Sequence, residues 1–256
     1  MYTHNLNPTI LNLGPLEIRW YGLVYALGFI ITIWILQKYK SKLSISKDDI
    51  WDLLFYLILG VIVGSRVFMI LWEPSYYLSN FTNIFKIWQG GMSFHGGFTG
   101  AVIAGWIYCK KKQIDFWKLA DLIAFPAIFA LALGRIANFI NGELVGRTWN
   151  GSWCVIFPDY DNVCRHPSTI YAAGERFLIF GWLLFLNFWK EFKPGFIFWN
   201  FVFFEGLGRI IVDFYRENAL FLGFSLGQWL SLLMVIVTLW VFHAKYKEDC
   251  KQLFNK

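Results

Sequence analysis

Charged residues are scarce in this chain. Only 16% of its 256 residues are charged, whereas 57% are hydrophobic and 21% are aromatic. This balance excludes a disordered chain and argues against an ordinary soluble domain. The apolar residues lie in runs long enough to cross a bilayer, which takes about 20 helical residues. A β-barrel would show short alternating segments instead. The sequence therefore predicts an all-α integral membrane protein.

A cationic region before the first apolar run is also lacking, as are low-complexity segments and clear internal repeats. Without such a region a cleaved signal peptide is not expected, so the first span should remain in the mature protein. We predict a single bundle over residues 1–256 with seven transmembrane helices. They cover about 17–37, 51–72, 93–109, 118–140, 170–189, 195–215 and 225–243.

The lysines predict the orientation of the bundle. Fourteen of the 15 lysines lie on one side, in the loops after spans one, three and five and in the tail that ends at Lys256, and Lys86 is the exception. Positive residues favour the cytoplasm, so the N-terminus should lie outside and the C-terminus inside. A net charge of +6 could by itself indicate a nucleic-acid partner. In a membrane protein the location of the charge matters more than its sum, so no nucleic-acid partner is expected. Residues 73–92 are expected along the outer interface, and residues 141–169 as a small head.

There are only four cysteines, and the predicted topology divides them between the two sides. Cys109 and Cys250 fall at the cytoplasmic edge and should stay reduced, whereas Cys154 and Cys164 share the outer head loop. Because that compartment is oxidising, we predict a Cys154–Cys164 disulfide. Two free thiols are the alternative.

Against this apolar background, polar residues gather in the stretch 133–147, LGRIANFINGELVGR. Ionisable groups at membrane depth are costly and tend to be functional. Arg135 and Asn138 are three residues apart and share a helix face. An arginine fork suits a phosphate group, and an amide adds a hydrogen bond. Glu143 can pair with a nearby arginine, so a structural salt-bridge network is the alternative.

Two further polar residues stand in spans two and three. Arg66 lies deep in GVIVGSRVF, where Gly60 and Gly64 allow a close helix neighbour. We expect Arg66 to be buried and paired, with a snorkelling arginine as the alternative. His95 opens span three among glycines. We interpret it as a general base or acid, since histidine exchanges protons near neutral pH, although a lone histidine is often structural.

Span six carries Glu205, Arg209 and Asp213 at intervals of four, which places them in one stripe. In lipid, such a stripe must face the bundle interior or a water-filled cavity. Several buried arginines favour a polyanion, most simply the phosphate of a phospholipid headgroup. Tyr21 in span one fits an interfacial aromatic belt on the residues alone.

Five stretches together resemble the prolipoprotein diacylglyceryl transferases of bacterial inner membranes. They follow the family's order and are RWYGLVYALGF (19–29), GGMSFHGGFTG (90–100), GRIANFINGELVGR (134–147), RHPSTIY (165–171) and GRIIVDFYR (208–216). The third stretch is long and specific, whereas HGG alone would be weak. The resemblance implies transfer of a diacylglyceryl group from phosphatidylglycerol to the lipobox cysteine of a prolipoprotein signal peptide, with release of glycerol phosphate.

The resemblance also implies an inner-membrane protein with a periplasmic N-terminus and head, a site toward the periplasm, and no metal or organic cofactor. It assigns family positions to His95, Arg135 and Arg209, which we interpret as catalytic. We predict six substrate-binding residues, and Arg66 is among them because it is expected to be buried. They are Tyr21, Arg66, Asn138, Glu143, Gly146 and Asp213.

The chain departs from the family pattern at three positions. Asp213 stands where glutamate is frequent, so its pairing with Arg209 is in question. Ala172 follows Tyr171 where the family commonly has glutamate, and Glu175 lies one turn further on as a possible substitute. Val145 replaces a common tryptophan.

Other functions consistent with the polar residues are a phospholipid transporter or flippase, a non-catalytic lipid-binding membrane protein and a different membrane lipid transferase. A transport path would need polar groups through the full bilayer depth. Here the polar groups collect toward one face, which favours the transferase.

Overall fold

The structure is a computed structural model that describes residues 2–13, 16–86 and 91–253. Two residues used in the sequence analysis, Gly90 of the histidine motif and Lys256 of the tail, lie outside the described residues. So do residues 87–90 of the predicted interfacial segment.

Helices dominate the described residues. Seven long helices overlap the seven predicted spans, with ends that differ by a few residues, and two short helices and a 3₁₀ turn (Phe81–Ile84) accompany them. The helices are α1 (Trp20–Leu43), α2 (Lys47–Trp72), α3 (Pro74–Ser79), α4 (Phe94–Lys112), α5 (Phe116–Ile140), α6 (Ser168–Trp189), α7 (Phe196–Asp213), α8 (Leu226–Lys245) and α9 (Lys247–Gln252).

Five of these helices are long and apolar enough to cross a membrane, namely α1, α2, α5, α6 and α8. Helix α7 is not among them because three charged residues, Glu205, Arg209 and Asp213, lie within its 18 residues. Helix α4 contains a histidine and four glycines and ends in three lysines. The chain is thus an α-helical, multi-pass membrane protein, while the seven-span topology and its orientation stay predictions.

Two small β-sheets accompany the helices, and the sequence analysis did not predict them. In one sheet, β1 (Tyr2–Thr3) pairs in parallel with β4 (Val155–Ile156), which pairs antiparallel with β5 (Cys164–Arg165). The other is a hairpin of β2 (Thr9–Leu13) and β3 (Leu16–Arg19). Strands of two residues are too short to show the alternation by which strands are recognised.

The chain divides into two compact units, residues 33–119 and residues 1–32 with 120–256. In the first unit, glycines bring α2 and α4 together. A Cβ on Gly60 would lie 2.5 Å from the carbonyl oxygen of Gly100, and one on Gly64 would collide with the backbone of Gly96. The small residues therefore serve the close helix packing that the sequence predicts.

In the second unit, α7 packs between α6 and α8. Asp121 of α5 accepts hydrogen bonds from the backbone N–H groups of Gly195 at 2.7 Å and Phe198 at 2.8 Å. These are donors that the first turn of a helix leaves without intrahelical partners. Asp121 thereby fixes the start of α7, the helix that carries the polar stripe.

The head loop between α5 and α6 has its own small core of Val145, Val155 and Phe157, against which Phe139 packs. A disulfide joins Cys154 and Cys164, whose Cα atoms are 5.5 Å apart. Strand β1 adds the N-terminal residues to this head, and the ring of His4 contacts the carbonyl oxygen of Phe139 at 2.8 Å. The head is therefore tied to the last turn of α5.

Candidate functional site

A small polar cavity lies in the second unit, where α5 ends, α6 begins and α7 ends. Its volume is about 20 Å³, which is room for about one water molecule. Arginines dominate its walls. The lining residues are Arg135, Leu144, Ser168, Thr169, Ala172, Arg176, Arg209, Val212, Asp213 and Arg216.

A chain of hydrogen bonds runs from the cavity to the first turn of α1. The Arg135 Nη1 donates to Asn138 Oδ1 at 3.1 Å, and the Asn138 amide donates to the Tyr21 hydroxyl and to Glu143 Oε2 at 3.1 Å. The Tyr21 hydroxyl in turn donates to Glu143 Oε2 at 2.8 Å. The structure thus brings four of the predicted residues together. Tyr21 belongs to this network, which an aromatic-belt role would not require.

The end of α5 explains how Glu143 reaches this network. Gly142 has a φ of 67°, a conformation that glycine adopts at little cost after a helix end. The chain reverses there, and the backbone N–H of Glu143 donates to the Asn138 carbonyl at 3.0 Å. The carboxylate of Glu143 is thereby held beside the side chain of Asn138.

Gly146 occupies a crossing of three backbone segments. A Cβ there would lie 2.7 Å from the Cβ of His166 and 2.8 Å from the carbonyl oxygen of Tyr215. Gly146 also bridges to Arg216, and Arg147 donates to the Arg216 carbonyl at 3.1 Å. The contacts of Gly146 therefore position Arg216 at the cavity, whereas direct substrate binding by Gly146 stays a prediction.

The polar stripe of α7 faces the protein interior, as the sequence predicts. Glu205 is 1% exposed and Asp213 is 4% exposed. Asp213 accepts a hydrogen bond from the Ser225 hydroxyl at 2.7 Å. A Cβ on Gly227 would lie within 2.9 Å of both Arg209 and Asp213, so this glycine leaves room for both side chains at the start of α8. The shorter aspartate thus has a partner on the residue that caps α8.

Arg176 of α6 is one of two cavity arginines that the sequence analysis missed. It is 2% exposed, lines the cavity and forms an ion pair with Glu205. It also bonds to Glu175 Oε2 at 3.2 Å. The signal was present, because an ionisable residue inside an apolar span is the same anomaly that identified Arg66 and Arg135.

Arg216, which follows α7, was also missed. Burial and the nearby positive charge of Arg209 lower its pKa from the ordinary value. A like charge disfavours protonation because it raises the energy of the charged form. Four arginines line the cavity, so positive charge is concentrated there, and an anion would relieve the repulsion.

Arg66 and His95 belong to the other unit. Arg66 is buried and donates to the Tyr77 hydroxyl at 2.9 Å and to the Lys86 carbonyl at 3.0 Å. These bonds hold the segment around α3 against α2, so the expected burial and pairing are observed. His95 is half-buried in the first turn of α4, after the N-cap Ser93. The catalytic role of His95 and substrate binding by Arg66 stay predictions.

Comparison with known proteins identifies the family of the chain. The sequence model of the family described as prolipoprotein diacylglyceryl transferase matches residues 8–244. Three relatives named phosphatidylglycerol–prolipoprotein diacylglyceryl transferase are similar over most of their length. The relative from Geobacter sulfurreducens is 42% identical, over 92% of this chain and 94% of its own. The relative from Cupriavidus metallidurans is 42% identical, over 90% of each chain. The relative from Legionella pneumophila (strain Lens) is 38% identical, over 94% of this chain and 98% of its own. The chain therefore belongs to the prolipoprotein diacylglyceryl transferase family and is a transferase.

Proposed function

We propose that this protein transfers the diacylglyceryl group of phosphatidylglycerol to the lipobox cysteine of prolipoproteins. The names of the relatives state phosphatidylglycerol and prolipoprotein, and the lipobox cysteine is part of the proposal. The observation that supports the same chemistry here is the cavity, which four arginines line at the ends of α5, α6 and α7. A phospholipid headgroup is the anion that a membrane protein meets most readily.

In this proposal Arg135 and Arg209 bind the headgroup phosphate. A guanidinium stays protonated at neutral pH and can present two parallel donors to phosphate oxygens. The hydrogen-bond chain through Asn138, Tyr21 and Glu143 orients Arg135. Because the cavity has room for about one water, the lining side chains must move apart when the larger headgroup enters.

The reaction forms a carbon–sulfur bond and breaks a carbon–oxygen bond. His95 takes the proton of the cysteine thiol, since the thiolate is the reactive nucleophile. The sulfur attacks the glycerol carbon that bears the headgroup phosphate, and the electron pair of the broken bond leaves on the phosphate oxygen. Glycerol phosphate departs with this additional negative charge. Fixed arginines stabilise the charge as it develops, which lowers the barrier.

The proposal includes a topology and a location. Seven helices span the bacterial inner membrane as one bundle, with the N-terminus and the 141–169 head in the periplasm and the C-terminus in the cytoplasm. The lysine distribution supports this orientation. With this orientation the cavity lies toward the periplasmic side, where phosphatidylglycerol and the signal-peptide helix of the prolipoprotein would enter sideways from the bilayer.

One assay tests the function. Purified protein is incubated with phosphatidylglycerol vesicles and a lipobox peptide, and the peptide mass is measured. We expect a diacylglyceryl adduct on the cysteine, and none on a peptide with serine at that position. Folded protein that binds phosphatidylglycerol without forming the adduct would point to a lipid-binding protein, and lipid movement between leaflets would point to a flippase.

A further inference from the structure

The guanidinium of Arg176 is held inside the second unit by three acceptors. Its Nη1 donates to the Ala172 carbonyl at 2.9 Å and to Glu175 at 3.2 Å, and its Nη2 donates to Glu205. The side chain is 2% exposed, and Glu205 is 1% exposed. These hydrogen bonds to Nη1 and Nη2 therefore fix the position of the guanidinium.

One donor of Arg176 has no partner among the residues that the structure describes. Its Nε is buried and makes no hydrogen bond there. A buried donor without an acceptor costs free energy, and arginine offers five donors to be satisfied. Arg176 also lines the cavity. An acceptor that enters this cavity would complete its hydrogen bonding.

The charges around the cavity identify the class of acceptor. Four arginines and one carboxylate, that of Asp213, belong to its lining. Arg216 repeats the pattern of Arg176, because its Nε is also buried without a partner in the described part of the chain. Positive charge in excess and donors without acceptors both favour an anion with several oxygens, as in a phosphate group.

Two carboxylates, those of Glu175 and Glu205, keep the guanidinium of Arg176 in place. Glu205 lies on α7, and Glu175 contacts α7 at Gly208, where a Cβ would collide with its carboxylate. Neither glutamate belongs to the cavity lining formed by the described residues. Glu205 and Glu175 therefore hold Arg176 without themselves lining the cavity.

We propose that Arg176 is a third phosphate-binding arginine, which contacts the headgroup phosphate together with Arg135 and Arg209. This inference rests on the proposed function, since it takes the headgroup to occupy the arginine cavity. Glu205 acts through Arg176 and is a positioning residue.

The test removes the guanidinium without leaving a buried carboxylate unpaired. In the double variant Arg176→Gln with Glu205→Gln, the ion pair becomes a pair of amides. The matched control is Arg19→Gln with Glu17→Gln, which removes an exposed ion pair of 2.7 Å outside the cavity lining. Arg176→Lys is a third variant that keeps the charge but lacks the planar fork.

Two readouts separate binding from folding. The KM for phosphatidylglycerol should rise at least about tenfold in the amide double variant, with an unchanged KM for the lipobox peptide. Inhibition by free glycerol phosphate should weaken by a similar factor. Arg176→Lys should show smaller changes in the same direction, and the Arg19/Glu17 control should match the original protein.

The stabilisation by inorganic phosphate is measured without turnover, as a shift of Tm. We expect the shift in the original protein and its loss in the amide double variant. Should the original protein transfer no diacylglyceryl group, the proposed function fails whatever the Tm values show. Unchanged KM, inhibition and Tm shift in Arg176→Lys and in the double variant would overturn the role of Arg176. A lost Tm shift with inorganic phosphate, together with unchanged KM and unchanged inhibition by glycerol phosphate, would also overturn it.

Discussion

Arg135 joins the cavity to the hydrogen-bond network. It lines the cavity, and one of its donors is committed to Asn138 at 3.1 Å. Asn138 is only 7% exposed, and its amide is itself held by hydrogen bonds to Tyr21 and Glu143. A side chain that is fixed in this way loses little conformational entropy on binding, so it can be preorganised for the charge that develops during the reaction.

Arg135→Lys should keep the charge and lose the network. The planar contact to Asn138 and the second donor to phosphate both disappear, so we expect kcat/KM to fall about 100-fold. The measurement is the rate of adduct formation on the lipobox peptide. Arg19→Lys, at an exposed arginine, is the control and should change little. A rate for Arg135→Lys equal to that of its control would contradict bidentate phosphate recognition.

His95→Gln should remove the proposed base while keeping a polar side chain of similar size. Because general acid–base groups contribute about 10²- to 10⁴-fold, we expect a loss in that range. Raising the pH should recover part of the rate, since the thiol then ionises without help. Turnover close to that of the original protein would exclude His95 from the proton transfer.

At the scale of elements, glycines decide which segments can approach. Gly146 must lack a side chain because the backbones of His166 and Tyr215 pass close to it. A Cβ on Gly134 of α5, in contrast, would meet no atom of the described residues within 4 Å. Both glycines belong to the same sequence stretch, so the sequence pattern alone does not separate the packed glycine from the open one.

Gly146→Ala should destabilise the protein by about 1–3 kcal/mol, because the new methyl group forces the backbone segments apart. Gly134→Ala should leave stability unchanged or raise it by roughly 0.5–1 kcal/mol, as expected for alanine in a helix interior. Thermal unfolding in detergent measures both. Equal Tm values for the two variants would show that the crossing at Gly146 is not tightly packed.

The head should lose stability as the pH falls. Burial lowers the pKa of His166, whose ring stacks on Trp149 at 4.4 Å. A group with a lowered folded-state pKa contributes stability that is complete above its unfolded pKa of about 6.5 and is lost as the pH falls through the folded value. Trp149 fluorescence during unfolding should report this loss as the pH falls below about 6.5. In His166→Gln the stability should not change over the same first part of the acid range.

The ion pair of Asp161 and Arg165 is a second acid-sensitive contact of the head, and it is lost in a lower pH range. The hydrogen bonds from Arg165 lower the pKa of Asp161 below its ordinary value of 3.8. The stability that Asp161 contributes to the head therefore begins to decrease only when the pH is near or below that value. Loss of head stability above pH 5 in His166→Gln would mean that another group titrates there.

For the whole molecule, the apolar runs predicted the helices well because helices in lipid must satisfy their backbone internally, and only long apolar segments do so. Arg135, Asn138, Tyr21 and Glu143 were predicted together from motif and depth, and their side chains do meet. The partner of Glu205 was not predictable from spacing along α7, since Arg176 lies on another helix. Long-range pairs of this kind depend on helix packing.

The orientation gives the last prediction. Lys42 and Asp159 are both exposed in the structure, and the lysine distribution places them on opposite sides of the membrane. The test uses cells whose outer membrane has been removed. A membrane-impermeant maleimide should label Asp159→Cys at once, but Lys42→Cys only after the inner membrane is permeabilised. Cys154 and Cys164 should not react without reduction, because they form a disulfide. The reverse labelling pattern would place the head in the cytoplasm, where thiols stay reduced. The arginine cavity would then face away from the lipobox cysteine of an exported prolipoprotein.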